Sequence, residues 1–457
     1  MAHKAPKIVG AVRLPGTEIH LAVPRGSLRV LVVALVVSAL SGPVFIAGVW
    51  AQPPGAPDAS ATDEVRADVE TIARLFYARR FDAVVREAGP LLARHGLTPT
   101  SVSIVLFEAE SRLRLGERDE AILAYEQALP VISTLNNVQQ RRFAFVFFRL
   151  ATLAREKRQL DQAVEKAETG LRLEPQNTWA QILLGELFTE RGERARALTH
   201  FKDVAASSFP TNEERAVLAI KIDRLTTGRI GASVRPPDLR GAHLHEGVSI
   251  GLVPLADLPK DVALADVCVA LEAAWRIGCE VLAPIAIPDA EVFVAERVQY
   301  DADRLLEELR RRFPVANHPR RYLIAVAGRD LFGPKTSYVF SWQTRGGDAG
   351  AGVMSAYRFG AALDDFYEKA VVLMRRVTIQ AISTAGSMLG ITRPTNPECP
   401  TAFPIDFREF QQKRARLCAS DEEQRDTLLR ARGGAAKMFG EARSREIDRV
   451  YRAYYLD

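Results

Sequence analysis

Two kinds of hydrophobic pattern follow one another along the chain. Between residues 65 and 225, apolar side chains recur every three or four positions and proline is sparse, which is typical of amphipathic helices. From residue 247 to 421, short continuous apolar runs alternate with helical stretches, beginning with VSIGLVPL at 248–255. We therefore predict an α+β multidomain protein in which an all-α domain precedes a mixed-sheet α/β domain.

The helical half of the chain repeats itself. The segments at 102–128, 144–170 and 178–204 align with one another and place small residues at matching positions. These positions include Ala121, Ala163, Gly185 and Ala197. The two alanines that open the second helix of the last two copies, Ala163 and Ala197, are 34 residues apart.

This period resembles that of the tetratricopeptide repeat (TPR). Small residues at a helix crossing let two antiparallel helices approach closely, and stacked hairpins then bury a continuous core. The resemblance implies a groove that binds a protein or a peptide. The alternative is a helical spacer with no ligand of its own, because a fold alone does not establish a function.

The α/β half is predicted to follow the order β-α-β-α-β-β-β-α. Strands are expected at 248–255, 279–287, 322–327, 337–343 and 352–356, and helices at 257–277, 300–313 and 363–389. The segment 226–246 is rich in Gly, Pro and Arg without periodicity, so we interpret it as a linker. Residues 422–457 are interpreted as a polar helical tail with one apolar stripe.

The composition is that of a globular protein, with 47% hydrophobic and 26% charged residues among 457. The formal net charge of +5 is concentrated at the start of the chain. Residues 1–51 contain five Lys or Arg against one Glu, a net charge of +4, which leaves +1 for the rest. Because no basic patch remains elsewhere, we expect no nucleic-acid partner.

The first 51 residues have the features of a signal peptide or a signal anchor. Arg25 and Arg29 precede an uncharged run of 22 residues, from Val30 to Ala51. A run of this length can be cleaved as a signal or can cross a bilayer once. Residues 52–64 follow as a linker, and we expect everything beyond residue 52 to be exported, periplasmic or extracellular. Membrane contact would come only from residues 30–51, if they are not cleaved.

Four motifs in the α/β half occur in the order found in a zinc peptidase family. They are VQYDADRLLEEL at 298–309, GRDLFGPKTSYVFSWQ at 328–343, GVMSAYRF at 352–359 and NPEC at 396–399. Residues 247–421 resemble the archaemetzincins, a family of metzincins. The resemblance implies a mixed sheet with a long helix that carries zinc ligands and a general base.

The zinc motif itself is degenerate in this chain. The family pattern is H-E-x-x-H-x-x-G-x-x-H, in which three His bind zinc and Glu is the general base. The matching positions hold Ser383, Thr384, Ser387 and Arg393, and only the turn glycine, Gly390, is retained. Serine is a poor ligand, arginine carries a fixed positive charge, and threonine does not accept a proton near neutral pH. We therefore expect no catalytic residue at these positions, no bound zinc and no other cofactor, with Arg393 in the space of the third ligand.

The cysteines allow two interpretations. The family has a further zinc site with four Cys, of which Cys399 and Cys418 remain, while Asp421 stands at one of the lost positions. In an oxidising compartment these two Cys form a disulfide, whereas with Asp421 they are the remnant of a structural metal site. The other two, Cys268 and Cys279, are interpreted as separate buried hydrophobic residues.

Two functions follow from these observations. The first is an exported, catalytically inactive archaemetzincin-like adaptor that binds proteins through its TPR-like repeats. The alternative is a hydrolase that uses a non-standard site in the same cleft. Against the alternative, the sequence shows no Ser-His or Cys-His pair within the α/β half.

Overall fold

The computed structural model describes residues 13–14, 17–18, 59–239, 241–314, 321–360, 368–433 and 435–456. The predicted signal segment from Val30 to Ala51 lies outside these ranges. Near it, the structure describes only a short hairpin of β1 (Arg13–Leu14) and β2 (Thr17–Glu18). Across the described ranges, no helix has both the length and the apolar character needed to cross a membrane.

Ten helices form the repeat domain within the described residues. They are α1 (Ala59–Tyr77), α2 (Phe81–His95), α3 (Val102–Leu115), α4 (Arg118–Thr134), α5 (Asn137–Arg141), α6 (Ala144–Glu156), α7 (Leu160–Leu173), α8 (Thr178–Glu190), α9 (Arg194–Ala206) and α10 (Asn212–Thr226). Consecutive helices pack as hairpins, α3 on α4, α6 on α7 and α8 on α9. The first helix begins at Ala59, inside the segment predicted as a linker.

The small residues of the repeats lie where the two helices of a hairpin meet. Ala121, Ala163 and Ala197 are fully buried. At Gly185, an added Cβ would come 2.4 Å from a ring carbon of Phe201 on the partner helix α9. A larger side chain at any of these positions would therefore push the two helices apart, because the interior has no free volume to receive it.

We expect Ala197→Leu to lower the free energy of unfolding by about 1–3 kcal/mol, since three carbon atoms must be added at a fully buried crossing. Ala195→Leu on the same helix is the matched control, because Ala195 is exposed and its replacement should change stability by less than about 0.5 kcal/mol. Urea denaturation of both variants measures the difference. Equal stability of the two variants would show that the repeat register is misplaced.

The α/β domain is built on a mixed sheet. Its strands are β3 (His243–Pro254), β4 (Ile277–Val281), β7 (Tyr322–Ala327), β9 (Ser341–Gln343), β10 (Gly350–Ser355) and β11 (Ala436–Met438). The strands β4, β3, β7 and β10 run parallel, and β9 pairs antiparallel with β10 at one edge. A separate small sheet contains β5 (Phe293–Val294), β6 (Gln299–Asp301) and β8 (Leu331–Phe332).

Helices cover both faces of this sheet. They are α11 (Leu264–Trp275), α12 (Asp289–Val292), α13 (Ala302–Arg312), α14 (Tyr357–Gly360), α15 (Lys369–Leu389), α16 (Phe407–Gln411), α17 (Ala419–Arg432) and α18 (Glu441–Tyr454). Along β7, Tyr322, Ile324 and Val326 join the core cluster of α11 and α15. The alternate residues of β7 join the cluster of α13, so the strand is buried on both faces, as its continuous apolar run predicts.

The structure corrects two predicted boundaries. Strand β3 begins at His243, inside the segment 226–246 that was predicted to be a linker. The predicted helical tail at 422–457 contains a strand, because β11 pairs antiparallel with the first residues of β3. After β11, helix α18 buries Ile447, Val450 and Tyr451 against the α/β core. The tail is therefore part of the α/β domain, and its edge strand has no sequence signal because it is only three residues long and exposed.

One hydrophobic cluster runs from the last repeats into the α/β domain. At its boundary, Arg376 of α15 makes two hydrogen bonds, of 2.7 and 2.8 Å, to the carboxylate of Glu213 on α10. Gln411 of α16 donates a third hydrogen bond to the same carboxylate. Both charged side chains are only 3% exposed. The two domains are therefore joined by a buried ion pair as well as by apolar packing.

Candidate functional site

The degenerate centre, defined as Ser383, Thr384, Ser387, Gly390 and Arg393, lies at the end of α15 and in the turn after it. The helix ends because Gly390 adopts a left-handed conformation, with φ of 87°, in which its N–H donates to the carbonyl of Ser387. Only glycine adopts this conformation without strain, which explains why this residue carries the turn. The turn resembles the metzincin motif at its glycine.

Among the hydroxyl-bearing residues of the centre, one is buried in the core and two are half-buried. Thr384 is fully buried, and its hydroxyl donates to the backbone carbonyl of Gln380 at 2.8 Å. Its methyl group lies against the backbone of β10, 3.1 Å from where a Cβ of Gly352 would be. By contrast, Ser383 and Ser387 are one helical turn apart and half-buried. Within the described residues, neither serine hydroxyl has a hydrogen-bond partner.

Two arginines lie in the segments that meet at the end of α15. Arg393 is exposed and stacks over the ring of Phe403, with the guanidinium carbon 5.0 Å from the ring centroid. Arg345 lies in the loop after β9, and the next residue in that loop, Gly346, donates its N–H to the carbonyl of Ser387. Partial burial and the charge of Arg345 both lower the pKa of Arg393. The motif spacing identifies Arg393, whereas Arg345 belongs to no motif and gives no signal in the sequence.

The residues of the degenerate centre do not fit a zinc ion. In the described part of the chain, groups of three potential metal ligands occur elsewhere, not among these positions. The two serines offer neutral hydroxyls, and the side chain at the general-base position is already bonded to its own helix. Arg393, which stands at the position of the third ligand, carries a fixed positive charge that would repel a dication. No hydrolytic step through zinc can be derived from this set of donors.

The two cysteines that the family resemblance assigns to a second zinc site are bonded to each other in the structure. Cys399 and Cys418 form a disulfide with a Cα–Cα distance of 5.4 Å. Asp421 lies beside them but is fully buried, and its carboxylate accepts hydrogen bonds of 2.7 and 2.8 Å from the hydroxyl of Thr401. Burial raises the pKa of Asp421. Sulfur atoms bonded to each other are not available as thiolate ligands, so this trio does not offer the donors of a structural zinc site.

The structure also joins Cys268 and Cys279, which the sequence analysis treated as separate buried residues. Cys268 lies on α11 and Cys279 on β4, and their Cα atoms are 5.2 Å apart. The sequence places them on different elements, and only the packing of α11 against β4 brings them together. All four cysteines of the chain are therefore in disulfides.

Lys413 is a buried cation close to the centre. Its ammonium group donates 2.7 Å hydrogen bonds to the carbonyls of Pro400 and Ala402. Burial first, and then the charge of Arg393, lower the pKa of Lys413 to about 7. The ordinary pKa of lysine, about 10.4, applies to the unfolded chain. Between these two values the unfolded chain binds a proton that the folded chain does not hold.

Stability should therefore rise with pH across the window from 7 to 10. We expect the free energy of unfolding of the unmodified protein, measured relative to Lys413→Met, to increase by about 2 kcal/mol between pH 7 and pH 9. Subtracting the variant cancels the titration of other groups, and chemical denaturation at several pH values gives both curves. A difference that does not change with pH would mean that Lys413 stays charged in the folded state.

A second candidate surface lies on the first helices of the repeat hairpins. These helices are linked by ion pairs from one hairpin to the next. Arg149 of α6 pairs with Glu110 of α3 at 2.9 Å, and Arg155 of α6 pairs with Glu186 of α8 at 2.6 Å. Lys221 of α10 contacts the same Glu186 at 2.5 Å. These contacts hold successive hairpins in register, as expected for a repeat array that presents one continuous face.

Comparison with known proteins finds curated proteins that are similar to part of the chain. No model of a known protein family matches the chain. Over 140 residues, 30% of the chain, it is 28% identical to an archaemetzincin of Haloarcula marismortui, of which 76% is covered. Over 178 residues, 38% of the chain, it is 26% identical to an archaemetzincin of Natronomonas pharaonis, of which 98% is covered.

The similar solved structures include archaemetzincins and TPR proteins. An archaemetzincin from Methanopyrus kandleri has a TM-score of 0.33 and 18% identity, covering 40% of this chain and 96% of its own. YrrB, described as a TPR protein with an unusual peptide-binding site, has a TM-score of 0.30 and 14% identity, covering 36% of this chain and 81% of its own. The helices and strands of the structure itself confirm the predicted fold class, an all-α repeat domain followed by a mixed-sheet α/β domain. The chain thus carries an archaemetzincin-like α/β domain preceded by TPR-like helical repeats.

Proposed function

We propose that this protein is an exported, catalytically inactive archaemetzincin-like adaptor, in which the TPR-like repeats bind a protein or peptide partner and the α/β domain has lost zinc. The observation that carries the proposal is the chemistry of the degenerate centre. Each position that supplies a ligand or the general base in the family pattern holds a residue unable to do so. The buried, back-bonded hydroxyl of Thr384 adds to this, because it is not directed at a substrate or a water.

The alternative, a hydrolase with a non-standard site, lacks a supporting observation. A serine nucleophile needs a base within hydrogen-bond distance. In the described residues around Ser383 and Ser387, neither hydroxyl contacts an imidazole or a carboxylate. The surroundings of the two serines therefore favour the adaptor over the hydrolase.

Metal analysis tests the loss of zinc. Purified full-length protein should contain well under one zinc per chain, by mass spectrometry of the metal, and should show no peptidase activity that a chelator removes. As a positive control, the variant Ser383→His, Thr384→Glu, Ser387→His and Arg393→His restores the family donors, and any gain of zinc would show that the assay detects an intact site. One tightly bound zinc in the unmodified protein, lost together with peptidase activity on chelation, would refute the proposal.

The ion pairs between hairpins support the repeats as the partner-binding part. They stiffen the array, and Arg376 with Glu213 fixes its last helix on the α/β domain. A partner held by the array would therefore be held at a defined position relative to that domain. A stiff surface also loses less conformational entropy when a partner binds.

Site-specific photo-crosslinking tests this surface. Thr152 is half-buried on α6, the first helix of its hairpin, whereas Glu165 is exposed on α7, the second helix. A crosslinking amino acid at 152 should yield a discrete crosslinked partner in cells that express the protein, and the same amino acid at 165 should not. Equal crosslinking at both positions would show that the first helices are not the binding face.

Export is supported by the two disulfides, because such bonds persist in oxidising compartments and are rare in the cytosol. A reporter active only outside the cytoplasm, fused after the repeats, should be active in the full-length fusion and inactive when residues 1–51 are removed. Activity without that segment, or cytoplasmic activity of a complementary reporter, would contradict export.

A further inference from the structure

The two arginines near the end of α15 have no acidic partner in the described residues. In the described part of the chain, neither Arg345 nor Arg393 makes an ion pair or a hydrogen bond. Arg393 stacks over the ring of Phe403, and, besides burial, the charge of Arg345 lowers its pKa, which indicates that the two guanidinium groups are near each other. Two cations held near each other without an acid repel each other, and an anion between them would remove that repulsion.

Backbone contacts join the loop that carries Arg345 to the end of α15. Gly346 donates to the carbonyl of Ser387, and the Cα of Gly346 would lie 3.5 Å from a Cβ on Gly390. The loop that carries Arg345 is therefore packed on the turn that leads to Arg393. The hydroxyls of Ser383 and Ser387, without partners in the described residues, lie on the same end of α15 and can donate to an oxygen atom.

We propose that this arrangement is a carboxylate-binding site, formed by Arg345 and Arg393 with the hydroxyls of Ser383 and Ser387, at the position where the family motif places its zinc ligands. The inference rests on the proposed function, since a bound zinc would exclude it. Guanidinium groups bind carboxylates through paired hydrogen bonds, which neither a lysine nor a neutral side chain reproduces.

The location favours a monoanion over a phosphate. The site is at the carboxyl end of α15, where the helix dipole carries partial negative charge. Phosphate sites usually use the opposite, amino-terminal end of a helix, where backbone N–H groups point at the ligand. Two guanidinium charges beside a helix carboxyl end balance a single carboxylate better than a dianion. Lys413 is not counted among the ligands, because it is buried and its ammonium group donates to the carbonyls of Pro400 and Ala402.

The carboxylate has two possible sources, the C-terminus of a peptide or an acidic side chain. The edge strand β9 leads directly to the loop that holds Arg345, and the sheet ends at β9 in the described residues. An extended peptide next to that edge could bring either kind of carboxylate to the site. The exposed ring of Phe403, 67% accessible, provides apolar surface for the rest of the ligand.

Isothermal titration calorimetry at constant ionic strength tests the proposal with the full-length protein. The probes are N-acetyl-alanyl-alanine with a free carboxylate, its C-terminal amide, N-acetyl-aspartic acid amide and inorganic phosphate. We expect N-acetyl-alanyl-alanine or N-acetyl-aspartic acid amide to bind, and the uncharged C-terminal amide of N-acetyl-alanyl-alanine not to bind. The tighter of the two acids shows whether the carboxylate comes from a peptide C-terminus or from an acidic side chain. Equal heats for acid and amide, or binding of phosphate alone, would overturn the proposal.

Variants locate the site. Arg393→Gln and Arg345→Gln should each weaken carboxylate binding on the order of 10-fold, because each removes a charged donor. Arg310→Gln is the matched control, since Arg310 is exposed at the end of α13 and should leave binding unchanged. Unchanged binding in both site variants would refute the proposal. Zinc is measured on the same samples, so a metal-free protein that binds no carboxylate refutes this inference alone, whereas stoichiometric zinc refutes the proposed function.

Discussion

Replacing Glu213 with alanine should lower the free energy of unfolding by about 3–5 kcal/mol. The variant leaves the guanidinium of Arg376 buried, at 3% exposure, without the carboxylate that accepts two of its hydrogen bonds. A buried charge without a partner costs far more than the lost attraction, because its solvation in water is not replaced. Gln411 would lose its acceptor as well. Urea denaturation, followed by circular dichroism, measures the change.

Two further variants separate the charge from the packing. The double variant Glu213→Met with Arg376→Met removes both buried charges and should be less destabilised than Glu213→Ala. The control Glu165→Ala removes an exposed glutamate of the repeats and should change stability by less than about 0.5 kcal/mol. If Glu213→Ala were no more destabilising than Glu165→Ala, the two domains would not be joined by this ion pair.

Removing the disulfide between Cys268 and Cys279 should lower the free energy of unfolding by about 3 kcal/mol. The bond closes a short loop, with a sequence separation of 11, and so restricts the unfolded chain. It also ties α11 to β4, which is next to β3 in the sheet. The variant is Cys268→Ala with Cys279→Ala, and its stability is compared with that of the unmodified protein under oxidising conditions.

The same comparison in the presence of dithiothreitol is the control. The reductant opens both disulfides of the unmodified protein and the one that remains in the variant, so the difference between the two proteins should become small. A difference that persists after reduction would assign the effect to packing of the thiol at Cys268, which is itself buried. No difference under oxidising conditions would mean that the two cysteines are not bonded.

Much of the fold follows from local pattern. The run at 322–327 coincides with β7, because a strand buried on both faces is continuously apolar. The end of α15 at Leu389 was predicted from Gly390, since a helix stop of this kind is a local property of the backbone. Strand β11 was not predicted, because its three residues are exposed and their pairing with β3 depends on distant parts of the chain.

The residues of the candidate site also fall into those that a local pattern predicts and those that only tertiary packing brings together. Ser383, Thr384, Ser387 and Arg393 were found because a motif fixes their spacing on one helix and one turn. Arg345 was not, since only the packing of its loop on Gly390 brings it there. The bond between Cys268 and Cys279 was missed for the same reason. Residues related by a helix period are visible in a sequence, whereas residues related by tertiary packing are not.

The pairing of β11 with β3 has a consequence for the order of events during synthesis. Each repeat hairpin makes contacts mainly between neighbours in sequence, so it can form as soon as it leaves the ribosome. The α/β domain has to wait, because the edge of its sheet at His243–His245 is covered only by residues 436–438, nearly two hundred positions later. During that interval the first strand presents an open edge, which is where unwanted strand pairing begins.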